Sequence, residues 1–263
     1  MSKNRIWELD FLRGLSIILM VIDHLMFDLI SLPQWFSNYY QVDSPVGSKL
    51  HQLALLYWNS SLRDNFHFVF VAIFLLVSGI SYTFSRSNLK RSLKFAVVAF
   101  LISTITLLVQ YFAGIEIGIV FGIIHMFAVG TLLTILFRKI WNNNYFILAV
   151  GIIFVVYGIS FDFSNVPYYN TLNFSRFIEV VIGTKGYGAD HFGVFPYTGV
   201  IMIGTVIGNF FYAAKVSLLP KLDKGWNKPF TFAGKYTLII FITHQLILIS
   251  LVFALGYILG YRL

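Results

Sequence analysis

Six ionisable residues interrupt a stretch otherwise apolar enough to cross a bilayer: Glu8, Asp10, Arg13, Asp23, His24 and Asp28. On a helix turning roughly 100° per residue, Asp10, Arg13, His24 and Asp28 fall within an arc of about 60°, and Asp23 lies about 80° beyond its edge. An Asp or Arg near the middle of a membrane helix costs about 2.5 to 3.5 kcal/mol on insertion scales, so such groups face a bundle interior or an aqueous cavity. Glu8 and Asp10 have a blander explanation at the headgroup level, with Asp10 and Arg13 paired at i,i+3. That explanation does not reach His24, about 16 Å further along the helix than Arg13.

A histidine beside a carboxylate is the makings of a general base. Asp28, four residues after His24 and on the same face, could fix one ring nitrogen while the other faces a substrate. A histidine so held could deprotonate a hydroxyl or amine as it attacks a thioester, or take up an acyl group itself for a time. Two further histidines fall within apolar runs, His125 in Gly-Ile-Ile-His-Met-Phe and His244 in Phe-Ile-Thr-His-Gln-Leu. Each alone could equally be a core histidine bonded to a backbone carbonyl. His51, His67 and His191 fall in outer loops or at the rim, where solvation accounts for them.

Three histidines and Asp28 raise the question of a metal, but there is no His-Glu-x-x-His or comparable close pair, so ligands would have to come from separate helices and none is expected. There is no phosphate-cradling glycine loop between strand and helix and no Gly-x-Ser-x-Gly elbow. With no cysteine, thiol nucleophiles and disulfides are excluded.

The elements that would position these residues follow from composition. The 263 residues are 58% hydrophobic and only 11% charged, with a mean hydropathy of +0.78, which describes a polytopic membrane protein rather than a soluble domain. Windows of about 20 residues give seven helices, roughly 9–31, 65–85, 93–113, 117–137, 145–161, 194–214 and 236–257. The fold class expected is therefore all-α, a multi-pass helix bundle in the cell membrane, with residues 1–263 as one domain. The apolar run behind Lys3 and Arg5 is too long and too acidic for a removable signal peptide and is kept as the first span.

The net charge of +8 does not indicate nucleic acid, because the Lys and Arg residues lie in short clusters between apolar runs. Placing the N-terminus in the cytoplasm puts Lys3, Arg5, Arg86, Lys90, Arg91, Lys94, Arg138, Lys139, Lys215, Lys221, Lys224, Lys228 and Lys235 inside. That leaves Lys49, Arg63, Arg176, Lys185 and Arg262 outside, an N-in, C-out arrangement. In that orientation His125 lies about 12 Å below the outer surface and His244 near mid-depth.

Two outer loops, 32–64 and 162–193, are long and aromatic. Tyr39, Tyr40, Tyr57, Trp58, Tyr168, Tyr169 and Tyr187 could form a platform for a sugar or peptidic acceptor, or an interfacial aromatic belt. Gly118-xxx-Gly122 in the fourth helix and Gly204-xxx-Gly208 in the sixth point to close helix packing.

Arg13-x10-His24 resembles the hallmark of integral-membrane acyltransferases. Asp10-x-x-Arg13-Gly14, the run from Phe70 to Gly79, Phe121-Gly122-Ile-Ile-His125, the segment from Ala189 and Asp190 to Gly199, and Gly234 through His244-Gln245 narrow the match. Together they resemble the heparan-alpha-glucosaminide N-acetyltransferase catalytic domain family in its short bacterial form, over nearly the whole chain.

The resemblance implies an acetyltransferase using acetyl-CoA as donor and an extracytoplasmic amino sugar or polysaccharide of the cell envelope as acceptor, with a dimer by family analogy. On this reading His24 would act as base with Asp28, and Arg13 would hold the inner end of the site, pairing with Asp10 or meeting the donor. The CoA phosphates would lie near Arg86, Lys90, Arg91 or Lys94, and His125 and His244 would line the donor site. His51, Trp58, His67 and Asp190 would meet the acceptor. The lysosomal relatives carry asparagine where His24 stands and take their active histidine from the following outer loop, which makes His51, and less so His67, rival bases. Two readings compete with the enzyme: a membrane carrier or channel for a small solute or protons, which would normally show inverted repeats absent here, and a scaffold subunit without activity.

Overall fold

The computed structural model describes residues 5–114, 117–161 and 166–263; Lys3 and the first residues of the outer loop 162–193 lie outside them. Among the described residues there are eleven α-helices. In chain order they are α1 (Trp7–Ile30), α2 (Leu32–Trp35), α3 (Pro45–Trp58), α4 (Ser61–Tyr82), α5 (Asn88–Ala113) and α6 (Ile123–Ile140), then α7 (Asn144–Ile159), α8 (Phe174–Ile182), α9 (Tyr197–Phe211), α10 (Lys228–Lys235) and α11 (Thr237–Ile258). Among the described residues four helices, in α4, α5, α6 and α11, are long and apolar enough to cross a membrane, and α7 and α9 are shorter apolar helices. The chain is an all-helical membrane bundle.

Local chemistry explains where the helices begin and end. Ser44 caps α3 through the Gly47 amide, with Pro45 in its first turn. Ser87 accepts from the Lys90 amide at the start of α5, and Asn143 accepts from the Tyr145 and Phe146 amides at the start of α7. Each cap satisfies amides that a helix leaves unpaired. Gly114, at φ 69°, ends α5 in a left-handed turn open to glycine.

Several boundaries differ from the sequence expectation. The fourth expected span, 117–137, begins only at Ile123, so Gly118 and Gly122 precede α6 instead of packing within it. The Gly122 amide donates instead to His125 Nδ1. Both outer loops contain helix, α3 in the first and α8 in the second. Apolar periodicity finds spans, but it overlooks short helices lying in a loop.

The chain divides into two compact units, residues 1–74 with 217–263, and residues 75–216. In the first, α1 packs against α3, α10 and α11. The fit of α1 to α10 is made backbone to backbone: a Cβ on Gly14 would lie 1.8 Å from the Phe230 carbonyl oxygen, and one on Gly234 would lie 1.8 Å from that of Asp10. Gly14 thus holds its place after Arg13 for a steric reason, and the contact fixes the polar start of α1. A buried cluster of Leu29, Leu32, Phe36, Tyr39, Val252 and Tyr261 closes the other end of α1.

In the second unit α7 packs on α9 and α6 on both α5 and α9, around a small core of Ile147, Met202 and Val206. Here the close approach expected of Gly204 and Gly208 is present. A Cβ on Gly204 would meet the Leu76 carbonyl oxygen at 2.3 Å, and one on Gly208 would meet Thr83 at 2.8 Å.

Candidate active site

Three polar clusters are built on α1 in the first unit. At its start, Asp10 is buried and accepts two bonds from Arg5, at 2.6 and 3.0 Å, and one from Arg13. The expected Asp10–Arg13 pair is therefore present, and Asp10 holds the Arg5 guanidinium above its ordinary pKa through that bond. Glu8, also buried, accepts from the Ser217 hydroxyl at 2.8 Å and the Leu218 amide at 2.7 Å, which ties α1 to the segment before α10.

Beside this cluster lies a cleft of about 630 Å³ whose lining includes Arg5, Lys224, Lys228 and Lys235 against Asp10 and Asp223. Four cations face two carboxylates there, and both of Arg5's hydrogen bonds go to Asp10. The sequence reading counted these lysines only as orientation charges. The signal that would have found the cleft is the short amphipathic helix α10, which brings Lys228 and Lys235 to the start of α1.

The second cluster lies in the last two turns of α1. His24 Nδ1 donates to the Met20 carbonyl at 2.9 Å, and His244 Nδ1 donates to the Phe241 carbonyl at 2.7 Å. A carbonyl only accepts, so each Nδ1 carries a proton, and a ring in its neutral form has its lone pair on Nε2. The two rings meet edge to face, with centroids 4.9 Å apart and planes at 89°. His244 Nε2 is buried and has no hydrogen-bond partner among the described residues.

Asp28 is fully buried. Its Oδ1 accepts from Gln245 Nε2 at 2.9 Å, while Asp28 Oδ2 and Gln245 Oε1 are left buried without partners. Asp28 therefore does not fix the His24 ring, as its i+4 spacing suggests; the Met20 carbonyl does. A carboxylate four residues ahead competes poorly with a backbone acceptor one turn behind, towards which a helical side chain leans. Asp28 instead orients Gln245, a residue the sequence reading did not assign a role.

The third cluster is built on Asp23, whose different azimuth was legible from its position on α1. It accepts from Arg63 Nε and Nη2, each at 2.9 Å, and from the Tyr57 hydroxyl at 3.1 Å. His67 Nδ1 stands 3.5 Å from its other oxygen. Burial first, and then the Asp23 carboxylate, raise the Tyr57 hydroxyl to about 12, so it remains a donor. Arg63 lies 3.9 Å over the Trp58 ring, which packs against Phe27. His51 is apart from this group: its Nδ1 donates to the Leu29 carbonyl at 3.1 Å, and its ring packs on Tyr39.

The remaining residues singled out from the sequence lie in the second unit. His125 uses both ring nitrogens, with Nε2 2.9 Å from the Ser103 hydroxyl and Nδ1 accepting from the Gly122 amide. Asp190 accepts from the Ile123 amide at 3.1 Å, at the start of α6. Arg86 and Lys90 are exposed, and Arg91 donates to the Ser78 hydroxyl at 2.7 Å. Among the described residues no group of three or more His, Asp or Glu is arranged to hold a metal.

The sequence model of the family described as heparan-alpha-glucosaminide N-acetyltransferase, catalytic, matches residues 5–44 and 48–246. The chain belongs to that family. The match runs through all three clusters of α1, the Gly14–Gly234 contact and the His244-Gln245 pair, and it ends at Leu246. No curated protein and no solved structure matches the chain. Family and helices together make this heparan-alpha-glucosaminide N-acetyltransferase family member a membrane protein of the N-acetyltransferase type.

Proposed function

We propose that the protein moves an acetyl group from acetyl-CoA to an amine or hydroxyl of an extracytoplasmic amino sugar or polysaccharide, with His24 as the base. The observation that carries this reading is the His24–His244 pair, whose Nδ1 protons are tied to backbone carbonyls. With Nδ1 so engaged, Nε2 is the nitrogen of each ring that can accept a proton. One proton is what acyl transfer to an amine or alcohol releases.

In this reading the acceptor nitrogen or oxygen attacks the thioester carbonyl as its proton passes to His24 Nε2. The carbon–sulfur bond breaks, and the thiolate leaves with the CoA. General-base assistance of this kind is worth about 10² to 10⁴ in rate. Asp28 and Gln245, bonded to each other at 2.9 Å, keep acceptor oxygens in the same region.

The cleft lined by Arg5, Lys224, Lys228 and Lys235 suits the phosphates of the donor better than the exposed Arg86 and Lys90 do. Its cations are gathered on one concave surface, next to Asp10 and Arg13. The Asp23–Arg63–Tyr57 cluster, with Trp58 and His67, supplies polar and aromatic groups for a sugar. This arrangement fits N-in, C-out insertion in the cell membrane, with both units acting as one enzyme.

Incubating the purified protein with acetyl-labelled CoA and glucosamine tests the reading. Label appearing on the sugar amine supports it. A protein that neither binds nor hydrolyses the labelled thioester is not an acetyltransferase and returns the carrier reading.

A further inference from the structure

In the second unit, a guanidinium stands without a counter-ion among the described residues at the turn between α6 and α7. Arg138, in the last turn of α6, donates from Nη1 to Asn142 Oδ1 at 3.2 Å and Asn144 Oδ1 at 3.3 Å. From Nη2 it donates to Asn144 Oδ1 at 3.3 Å and to the Thr205 hydroxyl at 2.8 Å. Every acceptor is neutral, and Nε is buried with no partner. The ion pairs formed among the described residues involve Arg5, Arg13, Arg63 and His67, and none involves Arg138.

Neutral oxygens satisfy the N–H groups and leave the charge uncompensated. A partly buried charge in that condition is costly. The C-terminus of α6 offers about half a negative charge, but the N-terminus of α7, beginning at Asn144, offers about half a positive one, and the two cancel. Lys139 adds a second cation beside Arg138, so the turn is net positive.

The surroundings say what brings the missing anion. Ile140, Trp141, Tyr145 and Phe210 are more than half exposed around this turn. Apolar and aromatic side chains left open at the end of membrane helices belong at the level of lipid headgroups.

We propose that Arg138 anchors a site for a phosphate group, carried by the headgroup of an anionic phospholipid in the leaflet at this end of α6. A guanidinium N–H is a strong donor to a phosphate oxygen. The open edge of Arg138 is Nη1, where exposed Asn142 holds one of the longer bonds and is displaced by the phosphate; Lys139 gives the second charge, and Trp141 and Tyr145 pack on the acyl chains. The site lies within the second unit and is independent of the acetyl-transfer reading.

The test is the thermal unfolding midpoint of the full-length protein in uncharged detergent. It is read with phosphatidylglycerol, with a diacylglycerol of the same chains, with inorganic phosphate and with CoA. Phosphatidylglycerol should raise the midpoint saturably for wild type, diacylglycerol should not, and Arg138→Gln should abolish the rise. Arg138→Lys, which keeps the charge but not the bonds to Asn144 and Thr205 that aim the guanidinium, should need about tenfold more lipid for half the effect. An Arg138-dependent rise with inorganic phosphate or CoA but not with the lipid would keep the phosphate site and overturn its lipid source. A response by Arg138→Gln equal to wild type would overturn the site, and if that variant does not fold, an unchanged half-effect concentration in Arg138→Lys would do so.

Discussion

His24 and His244, from helices 220 residues apart in sequence, meet ring edge to ring face with centroids 4.9 Å apart. Each is locked into one tautomer by a carbonyl of its own helix. Replacing His244 with glutamine removes a ring from this pair but leaves the His24–Met20 bond intact. Acetyl transfer should then fall by about tenfold, less than general-base loss itself costs. An unchanged rate would confine His244 to packing.

Asp23 and Arg63 are both shielded, with side chains 7% and 16% exposed. Removing the carboxylate by Asp23→Ala leaves the shielded guanidinium only its 3.4 Å contact with Asp64 and should destabilise the protein by about 3 kcal/mol. Asp64, which meets the same arginine with a side chain 69% exposed, should change stability by less than about 0.5 kcal/mol when made asparagine. Denaturant titration in detergent measures both, and equal effects would show that the Asp23 bond is no stronger than a surface pair.

Gly14→Ala places a methyl 1.8 Å from the Phe230 carbonyl oxygen, whereas a Cβ on Gly225 meets nothing within 4 Å. The first substitution should cost about 3 kcal/mol by forcing α10 away from α1. Gly225→Ala should be close to neutral. Retention of wild-type stability and donor KM by Gly14→Ala would mean that the two helices can separate freely.

Lys228→Gln with Lys235→Gln removes two of the four cations of the 630 Å³ cleft. The double variant should raise the acetyl-CoA KM about tenfold with kcat little changed, since the lost contacts are made equally in the bound and transition states. Lys90→Gln, in the second unit, serves as comparison. A larger KM effect from Lys90 would move the donor phosphates to α5.

Burial lowers the pKa of His191, while its Nε2 bond to the Val180 carbonyl works in the opposite direction. A histidine whose folded pKa is depressed takes up its proton more readily when unfolded. Its contribution is therefore complete above about pH 6.5 and is lost as pH falls through the folded value. The unfolding midpoint should drop between pH 7.5 and 5.5, and His191→Gln should lessen that drop. An identical drop in the variant would place the titration elsewhere.

The all-helical membrane fold was legible because apolar runs of spanning length are hard to mistake. The inward stripe of α1 was legible because charge is costly in lipid. Angle alone set Asp23 apart from Asp10, Arg13 and His24, and it does face other partners. What the sequence concealed was each pairing made by tertiary structure: Arg63 with Asp23 forty residues away, Gln245 with Asp28, and Lys228 and Lys235 around the start of α1. Asp28 shows the limit of local spacing, since an i+4 carboxylate looked like the natural partner of His24 and a backbone carbonyl took the place. Gly118 and Gly122 show another, because their spacing imitates helix packing while the chain there forms the approach to α6.

The central claim is that His24 Nε2 takes the proton of the attacking acceptor, and the direct measurement is the acetyl-transfer rate of purified, folded His24→Ala with acetyl-CoA and glucosamine. The account expects kcat to fall by about 10³ while acetyl-CoA still binds. Full retained activity in that variant, or loss of activity only on replacing His51 or His67, would contradict it.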